Sequence, residues 1–393
     1  MSDASLDAAL RAALARELGE AVRLRRDLHA HPELSGSEHR TAATVSAALG
    51  AADAPAVAGT GRIVRIGPQS GPCVAIRAEL DALPVAEQTG VPWASQNGAM
   101  HACGHDVHLA ALVALARAAR GVELPAGLLA VLQPREEASP LGAPDIVASA
   151  AFAAQQPRAV VGAHLQHQLP PGTVAAAAGT VNAAADEFEI TVEGTGGHAG
   201  YPQLAADPVP VLCQAVLALQ QIVSRRTDPT HAVVVSVGVL EAGRAPNVIP
   251  GTATARGSLR ALDEADRAAV HKAVHEIVEH TCRAQGCRGT VTIVEGEPAL
   301  VNDEALAAAS WPRLREAGFT VDTSFRSCGA DDFAYYARGA PALMLFVGTG
   351  GPVSLHHPRF LPDDGAVGQV AAVMLAGYLG ALTLMAAGGA TTR

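Results

Sequence analysis

The stretch CVAIRAELD, residues 73–81, is the first indication of the fold of this chain. The mainly apolar residues 73–78 predict a buried strand, and the acidic residues Glu79 and Asp81 follow where that strand ends. The same arrangement recurs at residues 127–132, which lead into QPREE at 133–137. Apolar strands that end in polar residues are typical of an α/β sheet, in which ligands bind beyond the carboxyl ends of the strands.

Two further predicted strands repeat this arrangement later in the chain. Residues 159–163 lead into His164, and residues 342–347 lead into a glycine-rich loop followed by His356. Helices are predicted at residues 5–31, at 38–50 and at 107–120, the last with Gly121 as its cap. Strands that alternate with helices predict an α/β domain with a central mixed sheet flanked by helices.

The middle of the chain has a different pattern. Strands are predicted at residues 186–193, 231–241, 252–260 and 289–295, and helices at 207–226 and 263–284. This β-α-β-β-α-β order is that of a ferredoxin-like α+β unit. We therefore predict an inserted domain at residues 185–297, within a discontinuous first domain formed by residues 1–184 and 298–393.

Composition excludes several classes of protein. The 393 residues carry a net charge of −10, and 49% of them are hydrophobic but only 3% aromatic. This composition argues against a disordered chain and against a nucleic-acid partner. The six scattered cysteines favour free thiols in a reducing compartment. Because the amino terminus has no secretory pattern, we expect a cytoplasmic location.

One apolar segment raises the alternative of a membrane span. In residues 367–388 the only strongly polar side chain is Gln369, and the segment is long enough to cross a bilayer. Its flanks have neither a cluster of basic residues nor an aromatic belt. We interpret it as a buried helix and expect no membrane partner.

The densest cluster of reactive side chains is MHACGHDVH, residues 100–108. It contains one thiol, three imidazoles and one carboxylate, and thiolate and imidazole are ligands of transition metals. The alternative is the start of a helix with an aspartate cap and an ordinary buried cysteine. The density of the cluster favours a metal site.

Paired carboxylates follow the predicted strand that ends near residue 132. Of Glu136 and Glu137, one could bind a metal while the other accepts a proton from a metal-activated water. The alternative for this pair is two solvated carboxylates on a loop. His164 and His356 each follow a predicted strand, and each could instead be a structural residue. Taken together, Cys103, His105, Glu137, His164 and His356 are too many ligands for one open tetrahedral site. They predict two metal ions and two-metal hydrolysis.

The chain resembles the metal-dependent amidohydrolases, a group that includes hippurate hydrolase, N-acyl-amino-acid amidohydrolases and auxin-conjugate hydrolases. This group belongs to the larger aminoacylase and carboxypeptidase-type metallopeptidase family. The resemblance covers nearly the whole chain and is carried by DLHAHPEL (27–34), RAELDALP (77–84), MHACGHDVH (100–108), QPREE (133–137), GGH (196–198), NVIP (247–250), DDFA (331–334) and LHHP (355–358).

The resemblance implies a function and a set of roles. The activity would be hydrolysis of the amide bond of an N-acyl amino acid, or a related amide, with Glu136 as the general base. Two divalent ions (Zn, Mn, Co or Ni) would be held by Cys103, His105, Glu137, His164 and His356. The first domain would be catalytic, and the inserted domain would serve as lid and dimerisation domain of a homodimer.

Three residues of the inserted domain match positions that act on the substrate. His198 would stabilise the oxyanion, while Asn247 and Arg260 would hold the substrate carboxylate, which suits the planar guanidinium of arginine. Alternatively, Arg260 forms a salt bridge at a strand end, and Asn247 is a turn residue.

Other positions depart from the family pattern. Glu79 stands where the family usually has Asp, and Asp331 where it usually has Glu. With Asp106, these residues are expected to lie outside the direct ligands and orient them. Arg135 and Gln203 also differ, which leaves the identity of the acyl group and of the amino acid open. A dipeptidase or carboxypeptidase with the same chemistry is the alternative enzyme, and an inactive binding homologue is the alternative outside enzymes.

Overall fold

The chain folds into nine helices and fifteen strands within residues 3–390, the part that this computed structural model describes. The helices are α1 (Asp3–Ala30), α2 (His39–Ala48), α3 (His105–Arg120), α4 (Gly142–Ala148), α5 (Ala150–Ala153), α6 (Pro208–Gln221), α7 (Glu264–Ala284), α8 (Glu304–Glu316) and α9 (Gly365–Ala390). The strands are β1 (Arg62–Ile66), β2 (Cys73–Glu79), β3 (Gly127–Gln133), β4 (Ala159–Gln166), β5 (Thr173–Ala175), β6 (Gly179–Asn182), β7 (Ala184–Glu193), β8 (Gly197–His198), β9 (Val233–Ala242), β10 (Val248–Ile249), β11 (Thr252–Ala261), β12 (Arg288–Glu295), β13 (Leu300–Asn302), β14 (Thr320–Asp322) and β15 (Ala342–Gly348).

Contacts divide the chain into two compact units. Unit 2 comprises Thr180–Leu300 and Arg326–Asp331, and unit 1 comprises the rest, including Val301–Phe325. The domain bounds at residues 185 and 297 stay a prediction. The sequence pattern contained no sign of the short return segment Arg326–Asp331.

Unit 1 is built on a mixed sheet of seven strands, in the order β1-β3-β2-β4-β15-β5-β14. Strands β3, β2, β4 and β15 run parallel, while β1 and β5 pair antiparallel to their neighbours β3 and β15. Each of the four parallel strands is buried along its whole length, as expected for strands covered on both faces. The predicted mixed sheet flanked by helices is confirmed, and the carboxyl ends of its parallel strands meet at one edge.

Unit 2 is a four-stranded antiparallel sheet in the order β12-β7-β11-β9, with α6 and α7 completing the predicted β-α-β-β-α-β unit. Phe188, Leu212, Leu259 and Val274 are among its core residues. The helix predicted to run to residue 226 is α-helical only to Gln221, after which the chain makes a π-helical turn.

Helix α9 includes most of the segment for which a membrane span was the alternative. From Gly365 to Ala387 it is long and apolar enough to cross a bilayer, with a mean hydropathy of 2.0, and 61% of its most apolar stretch is buried. It contacts helices α1, α3 and α8 and strands β2, β4 and β15. These contacts favour the interpretation as a core helix.

Replacing Leu375 by Ala tests this role of α9. The side chain is fully buried, so its loss should lower the free energy of unfolding by about 2–5 kcal/mol in urea titrations. The control is Leu204→Ala in unit 2, where the side chain is 79% exposed, and its effect should stay within about 0.5 kcal/mol. Equal small effects for the two variants would contradict the packing of α9 in the core.

Candidate metal centre

The amino-terminal turn of α3 places two of the predicted ligands. Gly104 lies between Cys103 and His105 with φ = 88°, a left-handed conformation that glycine adopts without steric cost. A Cβ atom at this position would lie 2.7 Å from the Leu165 side chain. Glycine at 104 therefore permits both the turn and the close approach of β4.

The structure brings the five predicted ligands together in unit 1. Ligand atoms of Cys103, His105 and Glu137 lie within 4.8 Å of one another. The Nε2 atom of His164 lies 3.4 Å from the Cys103 Sγ atom, and the Nε2 atom of His356 lies 3.6 Å from a Glu137 carboxylate oxygen. Their assignment as metal ligands stays a prediction.

Two buried atoms of this cluster have no hydrogen-bond partner among the described residues. They are His105 Nε2 and Glu137 Oε1, which lie 3.8 Å apart. The Nδ1 atoms of His105 and His164 are placed to donate to the carbonyl oxygens of Asp81 (2.9 Å) and Leu165 (2.7 Å). In that arrangement each Nε2 atom keeps its lone pair for a ligand. This donor set fits divalent metal ions.

The pKa shifts of three predicted ligands show the effect of burial and of the neighbouring carboxylates. Burial, followed by the carboxylates of Glu137 and Glu136, raises the pKa of the Cys103 thiol well above its usual value. Burial also raises the pKa of Glu137. Burial alone would lower the pKa of His105, but the surrounding carboxylates, Glu79 first, outweigh it and raise the value to about 10. A cation among these groups would favour the thiolate and the carboxylate, the forms that bind metals.

Glu136 lies beside the predicted ligands on the loop that follows β3. Its Oε2 atom is 3.9 Å from His105 Nε2, and its side chain is 10% exposed. The residue before it, Arg135, has φ = 52°, and the predicted ligand His356 has φ = 65°. Non-glycine residues with a positive φ are uncommon and are often found at functional sites.

Asp81 is a site residue to which the sequence analysis gave no role. Its Oδ2 atom accepts hydrogen bonds from Ser35 Oγ (2.6 Å) and from the backbone N–H of Glu137 (2.9 Å). It therefore links the loop after β2 to the loop that carries Glu136. Its position in RAELDALP, just after a strand, was the available signal.

His108 was also missed as a site residue, and it is the partner of Glu79. The Nδ1 atom of His108 lies 2.9 Å from Glu79 Oε2, and its Nε2 atom accepts the backbone N–H of Leu165 at 3.1 Å. Because both ring nitrogens are engaged, His108 is a poor candidate for a ligand despite its position in the cluster. Glu79 is thus bonded to His108, whose other nitrogen accepts the backbone N–H next to His164.

Asp106, expected to orient a ligand, is bonded to α1. Its Oδ2 atom accepts from Arg25 Nε at 3.0 Å and lies 2.9 Å from His29 Nδ1. Asp106 follows His105 directly, so these contacts hold the first turn of α3 against α1.

The remaining predicted site residues belong to unit 2. His198 and Asn247 are exposed and lie together, because β8 pairs with β10 and the Ala199 N–H donates to the Asn247 carbonyl at 3.1 Å. Arg260 is half-buried on β11, opposite Ala185 on β7. Asp331 is buried, 4% exposed, in the return segment. The roles of these four residues stay predictions.

Comparison with known proteins places this site in a family. Residues 75–376 match the model of peptidase family M20/M25/M40. The chain is 35% identical over 353 residues to the N-acetyl-L-cysteine deacetylase of Bacillus subtilis, with 88% of this chain and 84% of that protein covered. It is 33% identical over 371 residues to the N-acetyldiaminopimelate deacetylase of the same organism, with 92% and 98% covered.

A solved structure of the same family is also similar to this chain. The Bacillus subtilis YXEP protein, described as a dinuclear metal-binding peptidase of the M20 family, superposes with a TM-score of 0.80 and 31% identity. The match covers 94% of this chain and 99% of that one. The resemblance inferred from the motifs is confirmed, and the chain belongs to peptidase family M20/M25/M40.

Proposed function

We propose that this protein hydrolyses the amide bond of N-acyl amino acids, or of closely related amides, to a carboxylic acid and an amino acid. The observation that carries the proposal is the cluster of Cys103, His105, Glu137, His164 and His356 with Glu136 beside it. Relatives named as deacetylases of N-acetylcysteine and N-acetyldiaminopimelate support this substrate class.

The cluster would hold two divalent ions per subunit, of Zn, Mn, Co or Ni. When bound, such ions supply Lewis acidity, which polarises a carbonyl group and lowers the pKa of water. In this proposal Glu136 takes a proton from the attacking water and passes it to the nitrogen of the leaving amine. Asp81 and His108 hold the backbone next to Glu137 and His164, so that the ligands keep their positions.

Unit 2 would supply the groups that recognise the substrate. Arg260 presents a planar guanidinium suited to a carboxylate, Asn247 adds an amide donor, and His198 donates to the developing oxyanion. Asp331 and Asp106 would orient their neighbours without touching the substrate.

A dipeptidase or carboxypeptidase activity is the second candidate. The family model and the YXEP protein are both described as peptidases, which favours it. The same cluster would cleave a peptide bond by the same proton transfers. A binding protein without catalysis is a third, weaker alternative, since the five ligand side chains and Glu136 are all present.

The proposal includes a homodimer in the cytoplasm. Strand β9 lies at the edge of the unit 2 sheet and exposes Val234 and Leu240, and α6 exposes Leu217. An apolar sheet edge of this kind is suited to pairing with a second copy. The six cysteines are free thiols, which fits a reducing compartment.

Replacing Glu136 by Gln tests the general base. The amide keeps the shape of the side chain but cannot accept the proton, so kcat should fall by about 10²–10⁴-fold while metal content and melting temperature stay unchanged. The matched control is Glu123→Gln, a change at an exposed site after α3. If Glu136→Gln retained most of the activity, another group would have to be the base.

Replacing Cys103 by Ala tests the metal ligands. Loss of the thiolate should lower the metal bound per chain, measured by mass spectrometry of the dialysed protein, and added metal should restore little activity. Cys213→Ala, at an exposed thiol of α6, should leave metal content and activity unchanged. Equal metal content in the two variants would exclude Cys103 as a ligand.

A substrate panel separates the two candidate activities. We expect kcat/KM for N-acetyl and N-benzoyl amino acids to exceed that for dipeptides with the same carboxyl-terminal residue by about tenfold or more, measured on metal-loaded protein. The reverse order would favour the dipeptidase. The Glu136→Gln variant serves as the blank for both classes of substrate.

A further inference from the structure

The segment Ser35–Glu38 directly follows the DLHAHPEL motif and has no part in the proposed mechanism. It nevertheless reaches the loop of Glu136. We propose that Glu38 is a positioning residue that fixes the backbone on which Glu136 is carried. The kinetic part of this inference rests on the proposed function, whereas the structural part stands without it.

Glu38 is a fully buried carboxylate with both oxygens engaged. Its Oε1 atom accepts the backbone N–H groups of Arg135 at 3.0 Å and of Gly36 at 2.8 Å. Its Oε2 atom accepts the Thr60 hydroxyl at 2.6 Å. A buried charge with three donors is itself held in place, and it therefore serves as a fixed point for the backbone at Arg135.

The backbone of Glu136 is bound to carboxylates on both sides. The N–H of the preceding residue, Arg135, donates a hydrogen bond to Glu38 Oε1. The N–H of the following residue, Glu137, donates one to Asp81 Oδ2. The two acceptors are 97 and 56 residues away along the chain. Ser35 holds Asp81 through its hydroxyl, so one short segment supports both attachments.

The conformation at Arg135 explains why such an attachment is needed. Its φ of 52° is a left-handed conformation that a side chain rarely adopts and that the surroundings must enforce. The Arg135 carbonyl accepts the Gly142 N–H at 2.9 Å, which closes the loop on itself. Without Glu38, the turn at Arg135 can relax, and the carboxylate of Glu136 moves with it.

The test compares Glu38→Ala with Glu38→Gln. The alanine variant should lower kcat by about 10–100-fold with KM within about threefold and metal content unchanged, because the misplacement acts on the proton transfer. Glutamine can still accept from Arg135 and Gly36 with its oxygen and can donate to Thr60 with its nitrogen. It should therefore restore kcat to within a few-fold of the natural protein.

The matched control is Glu33→Ala. Glu33 lies in the same part of the chain, but its carboxylate accepts from the N–H and hydroxyl of Thr41 and from the N–H of Arg40, at the start of α2. Its loss should reduce the melting temperature and leave kcat unchanged. A similar fall in kcat for both alanine variants would reduce Glu38 to a structural residue and overturn the proposal.

Hydrogen–deuterium exchange provides a measurement that needs no substrate. Glu38→Ala should speed exchange in a peptide covering residues 134–138, whereas Glu33→Ala should not. Unchanged exchange in the Glu38 variant would overturn the proposal. If the natural protein hydrolyses no amide but Glu38→Ala still speeds exchange, the positioning role is supported and the proposed function is refuted.

A milder variant covers the case in which Glu38→Ala does not fold. Thr60→Val removes one donor to Glu38 and leaves the carboxylate in place. It should give a smaller rise in exchange at residues 134–138 and a smaller fall in kcat. No change in either measurement would overturn the proposal.

Discussion

The buried guanidinium of Arg77 holds three segments of unit 1 together. The side chain is 1% exposed and bonds to Glu79, to Gln133 Oε1 at 2.9 Å and to Asp332 Oδ1 at 2.8 Å. Removing one partner of a buried ion pair typically costs about 3–5 kcal/mol, because the other charge is left uncompensated. The ends of β2 and β3 and the segment at Asp332 are therefore held in one arrangement.

The cluster of predicted ligands depends on that arrangement through a short series of contacts. Arg77 holds Glu79, Glu79 holds His108, and His108 accepts the backbone N–H next to His164. Glu79 stands where the family usually has Asp, and it fits this series of contacts. The two oxygens of the Glu79 carboxylate reach Arg77 and His108 at once. The predicted ligands thus lie next to a network of paired buried charges, an environment that suits a divalent ion.

The sequence was sufficient for the central strands of both units and for most of the long helices, whereas β1, α4 and α8 were not predicted. Fully buried strands such as β2 and β4 appear as apolar runs, and the predicted ligand His164 lies near the carboxyl end of β4, so both leave a local signal. Asp81 leaves only its position just after a strand as a signal. Glu38 and His108 leave none for their roles, because those roles consist of hydrogen bonds to residues far along the chain. The same holds for Arg326–Asp331, whose place in unit 2 depends on tertiary contacts alone.

The division of unit 1 along the chain has a consequence for biosynthesis. Strand β4 ends at Gln166, but its parallel neighbour β15 begins only at Ala342, after the whole of unit 2. At about 5–20 residues per second, a ribosome needs on the order of ten seconds or more to produce the intervening chain. During that interval β4 has an unpaired apolar edge, and the helix α9 that covers it has not yet been made. The nascent chain therefore passes through a stage prone to aggregation, in which chaperones that shield sheet edges should matter most.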